Sequence, residues 1–231
     1  MHVDLTEFKL QLKKYSVFFS GVYQQDAYEC FINILEILHK GTKQNLISDS
    51  ATTDDDTYMV SLSKRLFNFY SKNTFQCQNC RMISSSYSQC HSFLIYPKSD
   101  SSLADLLSGS ITSSLFKLCT CCQADTTHDL TTSFEQPPEV LVMVVSRFAS
   151  GLSSGKNYHK IVLDRKLCLS NSSYHLIGSV HHHGSSVTSG HYTSNIFYES
   201  SAFTCNDSQI VPLFTINPSN SVYLAFYARS H

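Results

Sequence analysis

The stretch PPEVLVMVVSRF, Pro137 to Phe148, decides how the rest of this 231-residue chain is read. Two prolines and a glutamate lead into six apolar residues, Val140 to Val145, with no polar residue among them. A strand with one wet face alternates in polarity; an unbroken run fits a central strand covered on both faces. Working outward, YHLIGSVHHH (174–183), HYTSNIFYE (191–199) and SVYLAFYAR (221–229) read as further strands, and SLSKRLFNFYSKNTFQC (61–77) reads the same way. Helix is expected over QDAYECFINILEILHK (25–40), where Ala27, Phe31, Ile34, Leu35 and Leu38 form one apolar stripe and Gly41 follows as a stop. A shorter helix fits SSLADLLSGS (101–110), with Ser102 as its cap. ISDSATTDDDT (47–57) reads as an exposed acidic loop whose Asp54, Asp55 and Asp56 are a solvated face. The expected fold class is α+β.

Hydrophobic residues make up 42% of the chain and aromatics 12%, a globular composition. Seventeen basic residues face eighteen acidic ones, so no general electrostatic pull toward nucleic acid or a membrane surface is expected. No apolar run has the length of a bilayer span, and MHVDLTEFKLQLKKYSV lacks the basic flank and apolar core of a signal peptide. Nine cysteines, an odd number with tight pairs, then favour metal over a disulfide framework and a reducing compartment, cytosol or nucleus.

The pairs are Cys77 and Cys80 in CQNC, and Cys119 and Cys122 in CTCC. A C-x-x-C turn aims two thiolates at one ion, and two such turns supply the tetrahedron of sulfurs that zinc favours. Four sulfurs leave no open position, so the zinc is expected to be structural. Cys121 is an alternative to Cys122, and Cys90 or His91 an alternative ligand. The interval between the pairs requires an extended two-arm structure to bring them together.

His191 lies in SGHYTSN (189–195), after Gly190, and FTCNDSQI places Asn206 and Asp207 on what reads as the next strand. An imidazole acting as a base needs a partner on its second nitrogen. A turn between the two strands would supply Asn206 or Asp207. By spacing alone, among eleven histidines, His191 reads as structural. His181, His182 and His183 are consecutive, and consecutive strand residues face opposite ways, so they are not expected to share one ion.

In order, these pieces resemble the ubiquitin-specific protease family, papain-like cysteine proteases that remove ubiquitin from proteins. YQQDAYECF (Tyr23 to Phe31) is similar to the family's QQDAHEF box, with Tyr28 at the His position and Cys30 at the Phe position. The cysteine pairs match the zinc ribbon of the family's fingers. PPEVLVMVVSRF resembles the P-x-x-L-x-x-x-L-K-R-F strand, with Ser146 for Lys. VHHHGSSVTSGHY, FTCNDSQIVPL with Phe203 at the Trp position, and SVYLAFYARS resemble the closing boxes. The resemblance implies a palm sheet over about 136–231, zinc-ribbon fingers over about 60–135, and a helical thumb of which the helix at 25–40 is the remainder. It makes His191 the general base, Asn206 the residue that orients it and Asp207 an assistant. Gln25, Asp26 and Tyr192 would bind the ubiquitin tail, and the partner would be ubiquitin or a ubiquitin-like modifier. The family's nucleophile lies in a G-N-T-C-Y-M-N box upstream of QQDAHEF, whereas here no cysteine precedes Cys30. The expectation is therefore an N-terminally truncated catalytic domain, inactive as it stands, with a non-catalytic ubiquitin-binding scaffold as the alternative.

Overall fold

The computed structural model describes residues 5–21, 24–47, 61–148, 155–186 and 189–230, the side chains of 43–47 excepted. The chain opens with helix α1 (Thr6–Tyr15), a 3-10 turn (Val17–Ser20), α2 (Ala27–Ile47) and α3 (Leu62–Phe67). Strands β1 (Phe69–Cys77), β2 (Ile83–Cys90), β3 (Phe93–Ile95) and β4 (Ser101–Ser102) lead to α4 (Leu103–Ile111). Then come β5 (Thr112–Leu118), β6 (Asp125–Glu135), β7 (Val140–Val145), β8 (Ile161–Val162) and β9 (Lys166–Leu169). The last strands are β10 (Ser172–His183), β11 (His191–Tyr198), β12 (Ser201–Asn206), β13 (Gln209–Pro212) and β14 (Val222–Arg229).

An eight-stranded sheet runs β13-β12-β11-β10-β14-β7-β3, with β9 also pairing β10. Its pairs are antiparallel except β3 with β7, which is parallel. The unbroken run of β7 is covered on both faces, as its pattern required. Leu141, Met143 and Val145 join Tyr174, Leu176, Ala225 and Tyr227 in the main core. On the other face Val142 lies opposite Phe226, whose ring meets Phe31 of α2 edge-on at 5.7 Å. Phe31 also packs on Phe67 of α3 at 5.4 Å. Buried Arg147 closes this end with no ion pair to an acid among the described residues. Its guanidinium donates to the carbonyls of Val222 (2.8 Å), His159 (2.6 Å), Asn157 (3.2 Å) and Ser219 (3.4 Å). Burial pulls it down to about 10, which leaves it charged at neutral pH.

The second sheet has the order β2-β1-β6-β5. Two hairpins, β1–β2 and β5–β6, abut through β1 and β6, so both tips lie at one end. The interval between the tips closes because the chain returns to the large sheet in between. Within the stretch expected to form the fingers, β3 is an edge strand of the large sheet and α4 packs nearby.

Three local expectations change. α2 starts at Ala27, because Asp26 Oδ1 accepts the amides of Tyr28 (2.8 Å) and Glu29 (3.0 Å), and it runs through Gly41. Glycine permits a left-handed stop but does not impose one. Residues 62–67, read as strand, are helix: Ser61 caps them and Leu62, Lys64, Arg65 and Leu66 are good helix formers. α1 has no counterpart in the sequence reading; Leu5, Phe8 and Leu10 are exposed about it. The short helix matches, with Ser102 Oγ accepting the Asp105 amide at 3.0 Å. Asp54, Asp55 and Asp56 lie outside the described residues. No helix among the described residues is long and apolar enough to cross a membrane.

Candidate active site and metal centre

At the hairpin tips Cys77, Cys80, Cys119 and Cys122 bring four sulfurs within 4.8 Å of one another. Each pair sits in the same kind of turn. Arg81 N donates to Cys77 O at 3.0 Å, and Gln123 N to Cys119 O at 2.9 Å. Arg81 (φ 64°) and Gln123 (φ 54°) take the left-handed conformation that turns the chain back. The sulfurs of Cys77 and Cys122 are 3.9 Å apart, those of Cys80 and Cys119 3.7 Å. A zinc tetrahedron with arms of about 2.3 Å has edges of about 3.8 Å, so the donor set fits the metal. The amides of Cys122 and Cys121 pull the Cys119 thiol down to about 6. Cys80 ends up at about 12: the Met82 backbone lowers it, but burial and the three neighbouring thiols outweigh that. Four thiolates this close repel one another, so the full charge of the cluster needs a dication. The alternative ligands lie elsewhere. Cys121 is exposed, Cys90 pairs with Ser71 Oγ at 3.6 Å, and His91 Nδ1 is buried with no partner among the described residues.

The second constellation is at one end of the large sheet. β10 and β11 pair from Gly178–Ile196 to His183–His191, so His191 opens β11 directly opposite His183. The approach to it admits only glycine: a Cβ on Gly190 would collide with His182 Nε2 and lie 2.7 Å from His183 O. Gly190 N donates to Gln24 Oε1 at 2.9 Å, tying the entry to α2 against the loop. His191 Nε2 meets Asn206 Oδ1 at 2.6 Å. With Nε2–H donating there, the lone pair sits on Nδ1, and the imidazole is oriented to accept a proton at that atom. Asp207 starts the β12–β13 turn with φ 50°, and no hydrogen bond joins it to His191 among the described residues. Cys205 pairs with Ser194 on the opposite face, above Ile196, Phe203, Ile210 and Pro212.

Asp26 is shared between two elements. Its Oδ1 caps α2, while Oδ2 accepts the hydroxyls of Tyr223 (2.7 Å) and Tyr192 (3.3 Å). Burial, then Asp26, push Tyr192 up to about 12 and raise Tyr223 further, so both stay protonated donors. Gln25 is exposed beside this knot. His182 packs between Phe148 (5.6 Å) and Tyr192 (4.9 Å), and Lys156 Nζ donates to the carbonyls of His182 (2.8 Å) and Gly184 (2.7 Å). Gln24, Tyr223 and Lys156 escape the reading of the sequence; only the doubled glutamine of QQD hints at the first.

His181 points into the interior. Asn195 Nδ2 (3.1 Å) and the Ser179 hydroxyl (2.9 Å) meet its Nε2, so Nδ1 carries the proton and donates to Ser221 Oγ at 3.0 Å. Burial first, then His183 and Arg147, pull it down to about 4 from the usual 6.5. Between those values the unfolded chain takes up a proton that the folded chain refuses. Stability is therefore expected to fall as pH drops from about 6.5 to about 4, by about 3 kcal/mol in all. Denaturant melts across this window check it: His181→Gln should flatten the dependence.

The ubiquitin carboxyl-terminal hydrolase family model matches residues 1–227. Over 97% of its length the chain is 27% identical to ubiquitin carboxyl-terminal hydrolase 2 of Gallus gallus, covering 74% of that protein. It is 25% identical to ubiquitin carboxyl-terminal hydrolase 23 of Arabidopsis thaliana over 91% of its own length and 26% of the relative's. Among solved structures it superposes on the SAGA Ubp8/Sgf11/Sus1/Sgf73 DUB module bound to ubiquitin aldehyde with a TM-score of 0.79 and 21% identity. The same module carrying a point-substituted Ubp8, bound to monoubiquitin, gives 0.78 and 22%. These matches cover 98% of this chain and 54% of the solved one, so the chain spans about half the length of those structures. At that identity the likeness establishes the fold.

Proposed function

Because the chain belongs to the ubiquitin carboxyl-terminal hydrolase family, we propose that the protein it represents is a cysteine-type deubiquitinase that cleaves isopeptide bonds at the C-terminus of ubiquitin. The observation that carries this reading is the 2.6 Å contact of His191 Nε2 with Asn206 Oδ1. It supplies the lower two members of a Cys-His-Asn arrangement, with Nδ1 turned to receive a thiol proton. The thiolate formed in that way attacks the carbonyl, and the imidazolium returns its proton to the leaving amine. Asp26, Tyr192 and Tyr223 hold α2 against the sheet, forming one wall for an extended tail. Zinc at the four cysteines is structural in this proposal, and the cytosol or nucleus is the proposed location.

A second reading is favoured by a specific observation: among the described residues no cysteine sulfur is hydrogen-bonded to His191, whose Nε2 meets Asn206. Burial first, then Asp26, raise the Cys30 thiol, which makes it a poor nucleophile. On that reading the protein binds ubiquitin without cutting it. Both readings require binding, so the test is titration of isotope-labelled ubiquitin with the zinc-loaded chain. Shifts concentrated in the ubiquitin C-terminal tail, weakened by Asp26→Ala, are the expected result. The absence of any perturbation at high micromolar chain would overturn both, and a response only from a ubiquitin-like modifier such as SUMO would reassign the partner.

A further inference from the structure

The two larger sheets have four terminal strands, β2 and β5 in one and β13 and β3 in the other. A terminal strand offers unpaired amides and carbonyls to any passing chain, and proteins blunt it by keeping it short or by placing lysine or proline on it. Three of the four are blunted in this way. β3 has three residues, β13 ends in Pro212, and β5 carries Lys117. β2 is the exception. Its eight residues, ISSSYSQC, include no charge and no proline, and all but Cys90 are exposed. Among the described residues no strand pairs with its outer side.

The phase of the hydrogen bonds shows which groups of β2 face outward. Cys77 N donates to Met82 O and Gln78 N to Thr127 O, both at 3.0 Å. Odd-numbered residues of β1 therefore bond β2, and even-numbered ones bond β6. Through the β1–β2 register, Ser84, Ser86 and Ser88 are the residues of β2 that bond β1. The amides and carbonyls of Ile83, Ser85, Tyr87 and Gln89 point to the open edge. Two of these residues also carry large side chains on one face. Ile83 is 57% exposed and Tyr87 59%, with Lys72 Nζ 5.4 Å from the centre of the Tyr87 ring.

We propose that β2 is a homodimerisation edge: two copies of this chain join their four-stranded sheets antiparallel through β2, about a two-fold axis at Ser85. The residues of the strand fix the axis. With Ser85 opposite Ser85, Ile83 of each copy lies opposite Tyr87 of the other, an aliphatic–aromatic cross-strand pair made twice. The outward amides and carbonyls of Ile83, Ser85 and Tyr87 then bond in pairs. No like charges meet across the seam, because β2 has none. Moving the axis to Ser86 sets Ile83 against Gln89 and loses both pairs. This self-complementarity is what selects a second copy over a foreign strand. The joined sheet has the eight-stranded sheets of the two copies at its opposite ends. Ile83 to Tyr87 is far short of the about 20–30 residues a side of a standard interface, so the dimer is weak and reversible.

Sedimentation equilibrium of the full, zinc-loaded chain from low to high micromolar should show a monomer–dimer equilibrium. Ser85→Pro removes the outward amide of the central pair in both copies and leaves the bonds to β1 intact. Losing those two hydrogen bonds should weaken dimerisation about tenfold or more, with zinc content unchanged. Ile83→Lys alone or Tyr87→Glu alone should weaken it too. The two together should restore it, because each introduced lysine then faces an introduced glutamate across the axis. That rescue reads the register itself, which a general loss of folding does not imitate. A chain that is monomeric at every concentration would overturn the proposal. So would a dimer indifferent to Ser85→Pro at native zinc content, since the contact would then lie elsewhere, as on the exposed apolar residues of α1.

Discussion

Replacing Cys77 by serine is expected to abolish zinc binding and to unfold the outer part of the four-stranded sheet, while the eight-stranded sheet stays folded. The asymmetry follows from where the apolar contacts are. Phe69 and Phe134 pack at the base of the small sheet and belong to the main core. Toward the tip, β2 is exposed along nearly its whole length and β5 along most of it, with Ile83, Tyr87, Phe116 and Leu118 open to solvent. Two hairpins without a core of their own are marginal in water. The β1–β6 ladder joins them edge to edge, and the four sulfurs close the tip. Structural zinc sites in small peptides contribute on the order of 10 kcal/mol, more than such a tip obtains from its side chains. Metal analysis should give one zinc per wild-type chain and none in Cys77→Ser. Hydrogen exchange should show protection lost over residues 74–89 and 112–130 and kept over 140–145 and 222–229. Retained protection at the tip after chelation would show that the hairpins stand without metal.

The second large effect concerns chemistry. The 231-residue chain, incubated with a ubiquitin-based electrophile, is expected to form no covalent adduct and to leave ubiquitin esters and amides uncut. An imidazole without a sulfur to activate offers no acyl-enzyme route. The available thiols are misplaced or committed. Four are gathered at the tips of the four-stranded sheet, whereas His191 lies on the eight-stranded one. Cys30 sits half-buried in α2 with its thiol raised. Cys205 precedes Asn206 but faces the other side of the sheet, in a cleft with Ile196, Phe203, Ile210 and Pro212. Adding an upstream segment with a cysteine box should turn labelling on, and His191→Gln should turn it off again. Labelling of the unextended chain at Cys205 or Cys30 would show that the nucleophile is misassigned. No labelling after extension would favour the non-cutting scaffold.

Much of this architecture can be read from the residues because one-dimensional signals carry it. The run Val140–Val145 reports a strand covered twice, since only burial on both faces tolerates six apolar neighbours. The C-x-x-C spacing reports a metal because the geometry is local to each turn. Other features depend on partners remote in sequence. Leu62–Phe67 carries aromatic and apolar residues that suit either state, and the Ser61 cap decides for helix. Gly41 could end α2 but does not, since glycine only removes a barrier. Asn206 is legible as a partner for His191 through the strand-turn-strand pattern. Gln24 and Tyr223 are not: each reaches the site from 166 or 197 residues away in hydrogen bonds no pattern encodes. His183 lies hidden in a run of three histidines. Only the cross-strand register separates its environment from those of His181 and His182.

The position of β14 has a consequence for how the molecule is made. This strand comes after every other described strand in chain order, yet it lies between β10 and β7 and hydrogen-bonds to both. While the polypeptide is still being threaded out of the ribosome, β7 and β10 have no neighbour to join them. The sheet is then two unconnected ribbons, β7–β3 on one side and the β9–β13 group on the other, each with an open edge of unpaired amides. Sealing must wait until residues 222–229 emerge, a delay that low-contact-order helical proteins do not face. A nascent chain stalled just before Val222 should consequently be a substrate for chaperones that clasp exposed strands. Release of only the eight residues of β14 should be enough to free it.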